Sequence, residues 1–252
     1  MSIHGFDDWL TTPQGQYVLR WEQARYDLLV ADIFGFNAVQ IGLPQHDFLR
    51  ANRMSLRLRC DDGIIAADGS PVSIDVRTCP HSLPFANASV DLVILPHVLE
   101  FSAMPHQILR EVERILVPEG SVIIAGFNPF SLWGMRRRFS RAAAPPPWRG
   151  QYLSVLRLKD WLALLGFETH AGSFGCYAPP MSQEKWLQRW CFMELAGNRW
   201  WPYAGGTYII QAIKRVHGMR LIMPSWRDRM ARARSLAPVT QNTPQHDMKA
   251  EP

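Results

Sequence analysis

Two short apolar runs, Leu92 to Leu95 and Val122 to Ala125, flank a stretch of helical periodicity, and this arrangement limits the chain to one class of fold. The runs are nearly continuous, as expected of strands buried on both faces. Between them Ile108, Val112, Ile115 and Leu116 recur at helical spacing, with Glu111 and Arg114 off that face. Pro118-Glu119-Gly120 stops the helix before the second run. Strand, helix and strand in this order make the crossover unit of a parallel sheet, so a doubly wound α/β fold is expected. Ligands in such sheets bind at the C-terminal ends of the strands, near the switch point.

The flanking segments predict further elements. Thr12-Pro13 offers a capping hydroxyl and then a proline at the first helical position. Tyr17, Trp21, Ala24 and Leu28 follow at helical spacing, predicting an amphipathic helix over 13–33 that Gly35 ends. A strand over 38–41 stops at Gly42-Leu43-Pro44. Residues 47–54 suggest a short helix, and in 55–60 Leu56 and Leu58 alternate with Arg57 and Arg59, suggesting a half-exposed strand. The turn signals Asp61-Asp62-Gly63 and Asp68-Gly69 predict a hairpin leading to a strand over 72–76. Downstream come an irregular aromatic and basic segment (127–150), a helix over 158–165 closed by Gly166, a strand over 167–171, a Trp-rich helix over 181–197 and a last strand over 207–213. The chain divides into an N-terminal helical extension (1–34), an α/β domain (35–215) whose segments 127–150 and 172–205 act as covers, and a basic tail (216–252) expected to be disordered.

Composition narrows the function classes. Hydrophobic residues make up 47% and charged residues 19%, enough for a large core. No apolar run reaches the roughly 18 residues a membrane span needs, and MSIHGFDDW lacks a signal peptide's basic and apolar regions. Cys60, Cys79, Cys176 and Cys191 form no CxxC pair and no zinc spacing, so reduced thiols, no metal site and a cytoplasmic setting are expected. The net charge is +5, yet from Lys214 onward there are eight basic and three acidic residues, leaving residues 1–213 neutral. The basic character therefore describes the tail, through which weak nucleic-acid or anionic membrane-surface association is open.

A specific run of residues carries a family resemblance. Leu83-Pro84-Phe85, Asp91, His97-Val98-Leu99-Glu100, Glu111, Arg114, Leu116, Pro118 and Gly120 stand in one register. This run resembles the second half of class I S-adenosylmethionine (SAM)-dependent methyltransferases of the type 11 group, in a bacterial branch with a degenerate glycine motif. Leu164 to Glu168 and Gly205-Gly206-Thr207 extend the likeness more weakly. The resemblance implies a seven-stranded Rossmann-like sheet, SAM as cofactor, and transfer of a methyl group to a small or amphipathic acceptor.

The cofactor half departs from the family pattern. The family has an acidic residue and then Gly-x-Gly-x-Gly; here Gln40 takes the acid's position, Gly42 is the one glycine kept, and Pro44 and His46 replace the others. The resemblance assigns cofactor contacts to Gly42, Leu43, Asp61, Cys79, Pro80, Leu95 and Pro96. Asp61 or Asp62 would meet the ribose hydroxyls, and Cys79 stands where the family has an adenine-binding Asp. His97 could deprotonate an acceptor or line the pocket. Asn128, Phe130 and Trp133 are candidates for a substrate loop, with Arg136 to Arg138 drawing in an anionic group; a helix packed on the body with its arginines in water reads the same segment. A catalytically inactive, methyltransferase-fold binding module accounts for the same departures.

Overall fold

The strands of the computed structural model pair in the order β3-β2-β1-β4-β5-β7-β6. They are β1 (Asn37–Ile41), β2 (Leu56–Asp61), β3 (Val76–Arg77), β4 (Val90–Pro96), β5 (Leu116–Phe127), β6 (Phe167–Gly175) and β7 (Thr207–Lys214). The first five are mutually parallel, and β7 runs antiparallel between β5 and β6. The structure describes residues 5–63, 74–140, 145–181, 183–190 and 192–216. The tail expected beyond 216 lies outside them, as does most of the predicted turn between β2 and β3.

Strand alternation sorts the core into two layers. In β4, Val93 and Leu95 face one layer and Leu92 and Ile94 the other; in β5, Val122 and Ile124 oppose Ile123, Ala125 and Phe127. The first layer is covered by α4 (Pro105–Ile115) through Ile108, Val112 and Ile115, and by α6 (Val155–Leu164) through Leu158 and Leu162. The second is covered by α1 (Phe6–Leu10) and α2 (Pro13–Ala31), so the N-terminal helices share one core with the sheet. Thr12 caps α2, its hydroxyl accepting from Gly15 N at 3.2 Å. Gly15 allows the close approach to α1, since a Cβ there would lie 2.3 Å from the Trp9 carbonyl oxygen.

The charges of the crossover run have structural work. The Asp91 carboxylate accepts from Phe36 N and Asn37 N, both at 2.9 Å, and so ties the start of β4 to the start of β1. Glu111 accepts from Leu83 N at 3.0 Å, while Arg114 donates to the carbonyls of Leu83 and Phe85. These two side chains fasten the Leu83-Pro84-Phe85 turn to α4.

The predicted hairpin falls mostly on residues 64–73, outside the described ones; to either side of it β2 and β3 pair in parallel as neighbouring strands. Three sequence expectations are corrected. Residues 48–51 form turns and not a helix, although Phe48 and Leu49 are buried. The Trp-rich stretch forms two helices, α7 (Glu184–Arg189) and α8 (Phe192–Trp200). In α2 the buried stripe is Gln14, Val18, Glu22, Tyr26 and Val30, and Leu28 points to solvent. The helix turned its more polar stripe inward because Glu22 finds a buried partner.

Candidate functional site

The switch point lies between β1 and β4, where two left-handed residues end β1: Gly42 at φ 84° and Leu43 at φ 48°. A Cβ on Gly42 would stand 2.8 Å from Val98 Cγ2, so only glycine fits this approach. Gln40, fully buried, holds the turn closed. Its amide nitrogen reaches the carbonyls of Gly42 (3.2 Å), Leu43 (3.0 Å) and His46 (2.7 Å), and its oxygen accepts from Phe48 N at 3.0 Å. A carboxylate has no donor and would face three carbonyl oxygens, which explains the amide in place of an acid.

Gly42, Asp61, Pro80, His81, Val98 and Ser102 line a cleft at the strand ends. Asp61 brings a carboxylate to it from the end of β2, and that side chain accepts from Gly63 N at 3.0 Å. His81 Nε2 is hydrogen-bonded to Ser102 Oγ at 2.9 Å, and its Nδ1 lies 3.3 Å from Cys79 Sγ. This bridge leaves room of about 20 Å³, space for about one water. Of the residues assigned from sequence, Gly42, Asp61 and Pro80 meet in this cleft, and Cys79 is exposed beside it. Leu43 and Leu95 are packed into opposite core layers, and Pro96 is buried at the end of β4.

His97 does not face the cleft. It is fully buried at φ 56°, between Phe6 and Phe127. Its Nε2 is 2.7 Å from Glu22 Oε1 and its Nδ1 is 2.9 Å from Glu100 Oε2. Glu100 also accepts from Phe127 N through its other oxygen. A neutral imidazole has one N–H and cannot donate to both carboxylates, so the cluster binds an extra proton. Burial alone lowers the His97 pKa, but the two carboxylates outweigh it and push it up to about 10. Burial holds the Glu100 carboxyl above its ordinary range, against the pull of His97. The second oxygen of Glu22 and the hydroxyl of Tyr26, both buried, lack a hydrogen-bond partner. Sequence reading missed Glu22; the signal available was its place in an i, i+4 row with Val18, Tyr26 and Val30.

The proposed substrate-loop residues separate. Asn128 is buried and donates to the carbonyls of Tyr203 (2.8 Å) and Gly205 (3.0 Å), fixing the loop after β5. Trp133 is fully buried in α5 (Leu132–Arg138), its indole N–H donating to Ala178 O at 2.9 Å. Phe130 alone is exposed, on the rim of a second groove. The segment 127–150 therefore does contain a helix packed on the body.

The family described as "Methyltransferase domain" matches residues 64–124. YafS, an uncharacterised protein of Escherichia coli, is 31% identical over 175 residues, covering 67% of this chain and 68% of YafS. Rv2003c of Mycobacterium tuberculosis, also uncharacterised, is 26% identical over 180 residues, covering 69% of this chain and 61% of that protein. Among solved structures, a protein in complex with the Trm112 methyltransferase activator of Haloferax volcanii superposes with a TM-score of 0.58 at 15% identity, over 86% of this chain and 99% of that one. A SAM-dependent methyltransferase of Archaeoglobus fulgidus gives 0.54 at 16% identity, over 78% and 94%. Sheet order, the Leu83 to Gly120 run and the match to YafS agree: the chain belongs to the class I SAM-dependent methyltransferase family.

Proposed function

We propose that the protein is a SAM-dependent methyltransferase acting on a small or amphipathic acceptor, with its cofactor lying along Gly42 and Asp61. The observation that carries this reading is the convergence of a left-handed glycine and a strand-end carboxylate on one cleft at the switch point. Gly42 lets the backbone approach a ligand where any side chain would strike Val98. Asp61 is suited to accept from a pair of ribose hydroxyls, and Cys79 and Pro80 to flank a purine edge. Bound SAM supplies a sulfonium-activated methyl group, so the protein's task is alignment and exclusion of water. His81 must leave Ser102 to admit a nucleoside, because the cleft otherwise holds about one water. Gln40 keeps the turn rigid, and the Glu22–His97–Glu100 cluster anchors α2 and α3 (Val98–Phe101) beneath the cleft wall.

Calorimetric titration with SAM and S-adenosylhomocysteine tests the reading. The wild type should bind, and Asp61→Asn should bind at least about tenfold more weakly, the loss of one charge-assisted hydrogen bond. Absence of binding by the wild type at saturating cofactor would refute it and leave the inactive binding module as the account of the fold.

A further inference from the structure

We propose that the outer face of α5 and the groove beside it form a docking surface for anionic phospholipid membranes.

The first observation is chemical. Residues 127–150 contain five arginines and no acidic residue, whereas residues 1–126 contain nine basic and fifteen acidic residues. The body of the protein is thus polarised, with positive charge gathered on the segment after β5. An anionic surface would draw this segment in and hold the acidic region away.

The second observation is geometric. Leu132, Met135 and Phe139 lie at i, i+3 and i+7 on one side of α5 and its C-cap, and are 42%, 56% and 81% exposed. Phe130 precedes them at 76%, and across a groove of about 520 Å³ stand Trp201 and Met193. Arg138 reaches the same groove, and Trp200, the chain neighbour of Trp201, is 70% exposed. Six of the sixteen large apolar side chains exposed among the described residues, Phe130, Leu132, Met135, Phe139, Trp200 and Trp201, belong to this one region. Soluble surfaces scatter such residues singly; a cluster marks an interaction site.

The third observation separates this face from unfinished core. The inward side of α5 is already satisfied by Trp133, which stacks on Phe127 and Trp148. Ser131 caps the helix at Gly134 N, and Gly134 sits so close to Pro129 that a Cβ would lie 2.1 Å from its carbonyl oxygen. The helix is therefore held firmly with its apolar stripe outward. Apolar and aromatic tips with Arg138 at their margin match a bilayer interface, where the tips enter the acyl boundary and a guanidinium group meets phosphate; Arg136 and Arg137, held over the Trp148 and Tyr152 rings, add positive charge behind it. A symmetric dimer through this face would bring two arginine clusters together, which disfavours a second copy as occupant. Leu132 and Met135, which cannot stack on bases, disfavour single-stranded nucleic acid.

The test uses the full-length chain, so the basic tail is present throughout. Co-sedimentation is measured with vesicles of phosphatidylcholine alone and with equal parts of phosphatidylcholine and phosphatidylglycerol. Tryptophan quenching by brominated acyl chains reports insertion. The wild type should bind the anionic vesicles and be quenched, and should bind neutral vesicles at least about tenfold more weakly. The Phe130→Ser/Phe139→Ser variant, altered at exposed positions, should keep the wild-type melting temperature and lose at least about tenfold in anionic-vesicle affinity, together with the quenching. Equal binding by variant and wild type would assign the affinity to the tail and overturn the proposal. So would equal binding to neutral vesicles, phenylalanine-dependent self-association without vesicle binding, or a single-stranded oligonucleotide binding more tightly than the vesicles do.

Discussion

Replacing His97 with glutamine isolates the electrostatics of the buried cluster. Glu22 and Glu100 are 1% and 2% exposed, and each holds one nitrogen of the imidazole, at 2.7 and 2.9 Å. A glutamine offers one donor end and one acceptor end, so at neutral pH it leaves two buried carboxylates without a cation. Removing one partner from a buried ionic cluster costs about 3–5 kcal/mol. At about 2–4 °C per kcal/mol for a chain of this size, the melting temperature should fall by about 6–20 °C. The pH dependence follows from the signs of the shifts. The raised His97 pKa gives the wild type a stabilisation that is complete below about 6.5 and fades as pH climbs through about 10. The raised Glu100 pKa favours folding in acid, and that contribution is lost as pH rises past the ordinary carboxylate range. Without His97 nothing offsets the burial of Glu100, so the variant loses stability more steeply than the wild type as the carboxylates ionise, and its deficit should widen between about pH 5 and about pH 7. Circular-dichroism melts at both values measure this, and Glu22→Gln added to His97→Gln should recover part of the loss at neutral pH. An unchanged melting temperature in His97→Gln, or a deficit that neither pH nor Glu22→Gln alters, would refute the charge argument.

Three further outcomes are expected. Gly42→Ala should weaken SAM binding in calorimetry and destabilise the fold by about 1–3 kcal/mol, because the left-handed φ is strained for alanine and Val98 must move. Asn128→Ala should cost about 1–3 kcal/mol in denaturant titration, since it strips the donors from the Tyr203 and Gly205 carbonyls. Among Cys60, Cys79 and Cys176, brief alkylation at mildly alkaline pH followed by peptide mass analysis should modify Cys79 first, because burial pushes the Cys60 thiol up to about 12 and also raises the buried Cys176.

The parallel half of the sheet was legible because its signal is local. Apolar runs at 92–95 and 122–125 and a helical face between them admit few arrangements, and the Glu111 and Arg114 spacing marks the turn that those side chains tie down. What escaped depended on partners distant in sequence. Glu22 looks like a solvent-facing charge on α2 until His97, 75 residues later, is placed against it. Gln40 looks like a lost acid until the loop carbonyls of Gly42, Leu43 and His46 are seen to converge on its amide. The parallel pairing of β2 with β3 could not be read from the acidic turn after β2, because it is set by the sheet beyond. Trp133 suggested a substrate loop by its type; its burial, with the indole N–H on the Ala178 carbonyl, makes it core.

The N-terminal helices also impose an order on biosynthesis. α1 and α2 close their core layer on β4, β5 and β7, and Tyr17 is hydrogen-bonded to Glu194 and accepts from Ala178 N. At about 5–20 residues per second, on the order of 10–40 s of translation separate Tyr17 from Glu194. Throughout that interval Phe6, Trp9, Val18 and Tyr26 have left the ribosome without the surface they will bury against. The nascent chain thus carries a sticky leading segment before any of its sheet is complete, and the parallel strands it waits for pair slowly. A chaperone that grips short aromatic stretches would meet this protein at residues 6–30, and release from it would be set by the emergence of β7.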